Sequence, residues 1–86
     1  MKIARTDSFK RAWKELDGEQ KALARKALAN LMANMRYPAL RVKKMKGAGD
    51  IWEARISGSL RMTFQIEADV VLLRNIGWHD ETLRRP

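Results

Sequence analysis

Residues 51–67, IWEARISGSLRMTFQIE, decide the fold, because apolar and polar side chains alternate on both sides of a Ser-Gly-Ser sequence. Alternation with a period of two is typical of half-buried antiparallel strands. A two-residue turn at Gly58-Ser59 would set Ile56 against Arg61 and mix the two faces. A three-residue loop, Ser57–Ser59, sets Ile56 opposite Leu60 and puts every apolar residue on one face. The sequence therefore predicts a hairpin closed by the three-residue loop.

The same register predicts a polar face, which we expect to be exposed. It sets Arg55 opposite Arg61 and Glu53 opposite Thr63, while Trp52 and Ala54 meet Phe64 and Met62 on the apolar side. Two like charges directly opposite each other destabilise a sheet. Guanidinium groups, however, grip phosphate through paired hydrogen bonds. Either the two arginines hold an anion between them, or Glu53 and Glu67 balance a mixed-charge surface.

The segments around the hairpin complete a single domain, residues 1–86. Residues 2–5 predict a first strand. Residues 9–35 repeat apolar side chains at helical spacing and predict a helical hairpin, with Asp7 or Ser8 as its N-cap. Residues 70–74 predict a more central strand that ends at Asn75-Ile76-Gly77. The expected fold class is α+β: an N-terminal strand, a helical hairpin and then a twisted antiparallel sheet packed on the helices.

Composition excludes several classes of protein. The 86 residues contain no cysteine, which excludes disulfides, a thiol nucleophile and a cysteine-based zinc site. One histidine, His79, excludes a histidine-cluster metal site, so we expect neither a metal nor another cofactor. No apolar run approaches the ~18 residues that span a bilayer, and the N-terminus lacks the apolar stretch of a signal peptide. We expect a cytoplasmic protein with no membrane association.

The charge is strongly positive and uneven. The chain has 18 Lys or Arg and 10 Asp or Glu, a net charge of +8. Residues 1–49 carry a net +9 and residues 50–86 a net −1. Five positive charges and no negative one lie in a short basic segment: Arg36, Arg41, Lys43, Lys44 and Lys46. Such a field favours a polyanion, either nucleic acid or an acidic protein, although a solvated basic surface is the alternative.

Residues 76–81, IGWHDE, follow the last predicted strand and contain the only histidine. Imidazole exchanges protons near neutral pH and is often oriented by a carboxylate, for which Asp80 and Glu81 are candidates. The alternative is a surface histidine in a turn. Trp78 either stacks on a nucleic-acid base or closes the end of the sheet as a core residue, and we favour the core position.

Taken in order, these features resemble the RelE/ParE superfamily of toxins from type II toxin–antitoxin modules. The basic stretch VKKMKG (42–47) leads into IWEARI (51–56), LRMTF (60–64) and VLLRNIGWHDE (71–81). The resemblance covers nearly the whole chain and is most specific from Lys44 to Leu83. It implies an acidic antitoxin as partner. Its best-known members are endoribonucleases that cut mRNA in the ribosomal A site, with the RNA 2′-hydroxyl as nucleophile and no metal.

The resemblance implies a catalytic set. Arg61 matches the arginine that binds the scissile phosphate, Arg55 a basic strand residue of the active site, and His79 the residue proposed as general acid. Glu53 departs from the family, since RelE has a lysine there. Because a guanidinium stays protonated, Glu53 is a candidate base for the 2′-hydroxyl, while His79 protonates the leaving 5′-oxygen. The alternative is that Glu53 only neutralises Arg55 and Arg61.

The resemblance also implies RNA contacts. Lys44 and Lys46 match basic residues that contact RNA. The further candidates for RNA binding are Arg41, Lys43, Trp78 and Leu83. Leu83 stands where many members have an aromatic residue, whose loss removes a stacking surface worth about 1–3 kcal/mol.

Two other functions stay open. One branch of the superfamily poisons DNA gyrase and does not cut RNA, and a degenerate toxin would only bind its antitoxin. The matches at Arg61 and His79 favour the ribonuclease.

Overall fold

The computed structural model describes residues 1–47 and 49–86. The elements follow in the order β1 (Lys2–Arg5), α1 (Asp7–Lys14), α2 (Gly18–Ala33), a 3-10 helix (Pro38–Leu40), β2 (Lys43–Lys44), β3 (Trp52–Arg55), β4 (Leu60–Glu67), β5 (Val70–Trp78) and α3 (His79–Arg84). The predicted α+β class, with a strand and a helical hairpin before the sheet, is confirmed.

The strands form one sheet in the order β1-β5-β4-β3-β2. Neighbours pair antiparallel except β1, which is parallel to β5. The sheet is therefore mixed, where we expected an antiparallel one. A parallel neighbour requires a long connection, and the helical hairpin together with β2–β4 supplies it between β1 and β5.

The predicted hairpin register is confirmed. Trp52 pairs with Phe64, Ala54 with Met62, Glu53 with Thr63 and Arg55 with Arg61. Across the loop, the Ile56 amide donates a 2.9 Å hydrogen bond to the Leu60 carbonyl. One face of the sheet packs on α1 and α2, and the buried core includes Phe9, Ala24, Ala27, Leu31, Leu60, Met62, Phe64, Val71, Leu73 and Ile76.

The helix caps differ in part from expectation. Thr6, and not Asp7 or Ser8, caps α1, because its Oγ1 accepts a 3.0 Å hydrogen bond from the Phe9 amide. The same hydroxyl donates to the Arg74 carbonyl at 2.8 Å, so Thr6 ties the helix to β5. Asp17 caps α2 in a reciprocal arrangement with Gln20.

The end of the chain departs most from the prediction. β5 does not stop at residues 75–77 but continues to Trp78, past a bulge at Arg74. α3 follows directly and packs on the polar face of β4 and β5, where Thr82 is buried and the Thr63 hydroxyl donates to the Pro86 carbonyl at 3.0 Å. The expected exposed face is therefore partly covered. Trp78 is 54% exposed, so its predicted core position is wrong.

We predict that Gly77→Ala destabilises the protein and Gly58→Ala does not. A Cβ at Gly77 would lie 3.0 Å from Thr82 Oγ1, at a positive φ of 157°, whereas a Cβ at Gly58 meets no atom within 4 Å. Strained backbone conformations cost about 1–3 kcal/mol. In urea unfolding, Gly77→Ala should lose about this much, and Gly58→Ala should change by less than about 1 kcal/mol. Equal unfolding free energies for the two variants would contradict this packing of α3.

Candidate nucleic-acid site

The arginine row, as we call it here, consists of Arg55 and Arg61 on the polar face and Arg41 at the β2 edge of the sheet. Arg55 and Arg61 are direct partners on β3 and β4. Arg41 precedes β2, which borders β3 on its other side. Partial burial lowers the pKa of Arg61 below its usual value. The positive charge of Arg55 lowers that pKa further, Glu53 raises it and Arg41 lowers it. The charges of Arg55, Glu53 and Arg41 therefore all act on Arg61.

The β3–β4 loop holds Arg61 in place. Its Nη1 donates to the carbonyls of Ser57 at 2.6 Å, Leu60 at 3.1 Å and Gly58 at 3.3 Å. Among the described residues, Nε and Nη2 of Arg61 have no hydrogen-bond partner. The loop thus fixes one end of the guanidinium and leaves the remaining donors for an anion, which accepts such paired hydrogen bonds well.

The same loop holds His79. The His79 amide donates a 2.7 Å hydrogen bond to the Ser59 carbonyl, and Gly77, two residues earlier, pairs with Arg61. The imidazole is about half exposed, and its Nδ1 lies 3.0 Å from Asp80 Oδ1. Of the two predicted orienting carboxylates, Asp80 makes this contact. A carboxylate on Nδ1 fixes the ring and leaves Nε2 for proton exchange.

Glu53 lies deeper than the arginines it accompanies. Its side chain is 9% exposed, and its Oε1 forms an ion pair with Lys43 Nζ at 3.1 Å. Glu53 and Leu83 border one depression together with residues 43–46 of the basic segment. Leu83 lies on α3, a helix that the sequence did not predict.

The lysines of the basic segment are exposed. Lys44 Nζ forms an ion pair with Asp50 at 3.2 Å, and both side chains are more than half exposed. Exposed ion pairs contribute only ~0–1 kcal/mol, so a phosphate can replace Asp50 at little cost. Lys46 lies at the surface beside the same depression.

Of the predicted site residues, the structure gathers all but one around the arginine row and the basic segment. The exception is Trp78, which pairs with Leu60 and lines a separate depression with Leu16 and Gln20 on the helical side. Sequence reasoning did not find Tyr37, an exposed aromatic residue beside Arg41. The sequence does contain a pattern that points to Tyr37, because this aromatic residue lies between two arginines, as is typical of nucleic-acid binding.

Among residues 1–47 and 49–86, no three His, Asp or Glu side chains come close enough together to hold a metal ion. None of the helices described in those ranges is both long and apolar enough to cross a bilayer.

No protein-family model matches the sequence, and a search of curated proteins finds no significant match. Solved structures do match. YafQ from E. coli strain BL21(DE3) has a TM-score of 0.79 at 11% identity, covering 92% of this chain and 93% of that one. A YoeB/ParE toxin from Agrobacterium tumefaciens has a TM-score of 0.76 at 16% identity, and the match covers 92% of this chain and 99% of that one. The RelB–RelE antitoxin–toxin complex from Methanococcus jannaschii has a TM-score of 0.74 at 16% identity, and the match covers 91% of this chain and 92% of that one. The chain therefore has the fold of RelE/ParE-type toxins.

Proposed function

We propose that this protein is the toxin of a toxin–antitoxin module and cuts mRNA in the ribosomal A site as a metal-independent endoribonuclease. The observation that carries the proposal is the β3–β4 loop, whose carbonyls hold both the Arg61 guanidinium and the His79 backbone. This arrangement supports a phosphate-binding role for Arg61 and a proton-exchanging role for His79. The toxin fold and the net charge of +8 support the same function.

In the proposed reaction, the arginine row binds the phosphate that is cut. Arg61 donates Nε and Nη2 to its non-bridging oxygens, and Arg55 lies directly beside it. Negative charge on the phosphoryl group grows as the 2′-oxygen attacks. Fixed cations aimed at developing charge are among the largest catalytic contributions that proteins make.

Two proton transfers complete the reaction. The 2′-oxygen bonds to phosphorus and loses its proton to Glu53. The bond from phosphorus to the 5′-oxygen breaks, and His79 Nε2 gives that oxygen a proton. Because Glu53 is buried and paired with Lys43, its role requires neighbouring side chains to shift when RNA binds. The competing account is that Glu53 only neutralises the arginines, and that their charge or a lysine serves in its place.

We predict that Arg61→Ala abolishes growth arrest and mRNA cleavage, whereas Arg55→Ala weakens cleavage less. Arg61 carries the guanidinium that the loop orients, and Arg55 contributes mainly charge. Cleavage is measured by primer extension on programmed ribosomes, and circular dichroism serves as the folding control. Full activity in a folded Arg61→Ala protein would remove the proposed site.

The same variant separates the alternatives. A gyrase poison would stay toxic with Arg61→Ala and would leave mRNA intact in both forms. A domain that only binds antitoxin would not arrest growth even as the wild type. Loss of both toxicity and cleavage is expected only of the ribonuclease.

We predict a bell-shaped dependence of the single-turnover cleavage rate on pH. A general acid must carry its proton before cleavage, so the rate falls at high pH as His79 loses it. A carboxylate base must be ionised, so the rate falls at low pH as Glu53 gains a proton. His79→Ala and Glu53→Gln should each remove one limb and cost roughly 10²–10⁴ in rate. If Glu53→Gln cleaves at the wild-type rate and keeps the acidic limb, the base lies elsewhere.

The partner that we propose is an acidic antitoxin, bound at a cleft between β1 and the helical hairpin. The cleft measures about 580 Å³, and its apolar wall includes Ile3, Phe9 and Trp13. Cationic side chains surround it, namely Arg5, Lys10, Lys14 and Arg25, and none of its described lining residues is acidic. Arg25 lies over the Trp13 ring at 5.5 Å from the centroid. An apolar anchor flanked by carboxylates suits such a cleft.

We predict that Arg25→Glu weakens antitoxin binding about tenfold or more, and that high salt weakens wild-type binding, because charge complementarity is lost or screened. Lys26→Glu is the matched control, since it makes the same charge change one residue away, outside the cleft. Affinity is measured by calorimetry with the acidic chain encoded next to this gene. An equal effect of both variants, or a partner that is neutral or basic over its contact segment, would contradict the proposal.

A further inference from the structure

A second cavity opens beside the arginine row, and the proposed reaction does not use it. It measures about 440 Å³ and lies between the end of α2, the 3-10 helix and β3. Arg41 lines this cavity and also belongs to the arginine row. The cavity and the row are therefore continuous through one side chain.

The lining has the chemistry of a site for an unpaired nucleobase. Tyr37 is 42% exposed, and Met35 and Trp52 are half-buried and give the cavity an apolar wall. Arg36 and Arg41 stand at the surface, and none of the described lining residues is acidic. Single-stranded RNA is bound by this combination, in which aromatic rings stack on bases and cations follow the backbone.

The backbone that carries the exposed ring of Tyr37 is held by hydrogen bonds. The Tyr37 amide donates to the Asn34 carbonyl at 3.0 Å, and the Arg36 amide donates to Asn34 Oδ1 at 3.0 Å. Pro38 follows at the first position of the 3-10 helix and limits rotation further. A backbone that is ordered in advance loses little entropy when the side chain that it carries binds a ligand. The Tyr37 ring is 42% exposed, so a large part of its surface is left for stacking.

Arg41 has an unusual conformation that connects the two sites. Its φ of 45° and ψ of 47° lie in the left-handed region, which is uncommon for residues other than glycine. The chain turns there between the 3-10 helix and β2, so that Arg41 reaches the cavity while lying close enough to Arg61 for the two charges to interact. A cation in this position can bind the phosphate that joins one nucleotide to the next.

We propose that this cavity binds an unpaired RNA base next to the phosphate held by the arginine row, with Tyr37 as the stacking surface and Arg41 on the intervening backbone. The proposal rests on the ribonuclease function and adds the site that positions its substrate. It supplies an aromatic surface on the Arg41 side of the row, whereas Leu83 provides none on the α3 side.

The experiment couples a change in the protein to a change in the RNA. Short single-stranded RNAs with 2′-fluoro sugars, which cannot be cleaved by 2′-oxygen attack, are made with one abasic nucleotide at each position in turn. Binding is measured by fluorescence anisotropy. For the wild type, one abasic position should weaken binding about 5- to 150-fold, the range of a stacked base. Tyr37→Leu should weaken binding to intact RNA by a similar factor. The variant should bind the RNA that is abasic at that position as tightly as it binds intact RNA.

Two control variants complete the design. Tyr37→Phe keeps the ring and should bind like the wild type. Leu23→Ala removes another exposed apolar side chain, on α2 away from the cavity, and should also bind like the wild type. Circular dichroism checks that each variant is folded.

The proposal is overturned if Tyr37→Leu binds intact RNA like the wild type, if its abasic penalty equals that of the wild type, or if no abasic position weakens wild-type binding. These outcomes are separate from failure of the ribonuclease function. Arg61-dependent cleavage on ribosomes without coupling between Tyr37 and a base would keep the ribonuclease and remove the base site. Coupling without cleavage would remove the ribonuclease and leave an RNA-binding site.

Discussion

The pairing of Arg55 with Arg61 across a three-residue loop is the constraint on which the candidate site depends. Side chains alternate along a strand, so a slip of one residue between β3 and β4 would set Arg61 against an apolar side chain of β3 and mix the two faces. The loop that prevents this slip also supplies the carbonyls that hold Arg61 and the carbonyl that receives the His79 amide. One short hairpin connection thus sets the register, orients the Arg61 guanidinium and places the start of α3.

The repulsion between Arg55 and Arg61 destabilises the sheet. The structure offsets this repulsion with hydrogen bonds to neutral backbone carbonyls, which leave the positive charge in place. The carbonyls of Ser57, Gly58 and Leu60 accept hydrogen bonds from Arg61 without adding a negative charge. Glu53 does carry one, but it is buried and shared with Lys43. The arginine row therefore keeps a net positive field at the surface, and an anion that binds there relieves the remaining repulsion. In the proposed function, this local instability of the sheet favours the binding of a phosphate.

The sequence predicts the parts of the fold that are set locally and misses those set by distant contacts. Alternation in residues 51–67 was enough for the hairpin register, because only one pairing keeps the apolar face intact. The sequence did not predict the cap at Thr6, because the Thr6 hydroxyl is also held in place by donating a hydrogen bond to the Arg74 carbonyl, far along the chain. α3 and the true end of β5 depend on a bulge at Arg74 and on Thr82 packing against Gly77. Neither of these leaves a periodic pattern in the sequence.

The two surfaces with excess positive charge lie apart on the sheet, and this limits how the proposed antitoxin can act. The cleft between β1 and the helical hairpin is on the helical side, whereas Arg55 and Arg61 are on the other face. In the strand order β1-β5-β4-β3-β2, β1 and β4, the strand of Arg61, are two strand spacings apart, roughly 10 Å at about 4.8 Å each. An acidic segment seated in the cleft therefore leaves Arg61 open to RNA. If the protein is the proposed ribonuclease, an antitoxin that binds only this cleft must act by excluding the toxin from the ribosome. One that blocks the arginine row must continue around the edge of the sheet with a second acidic stretch.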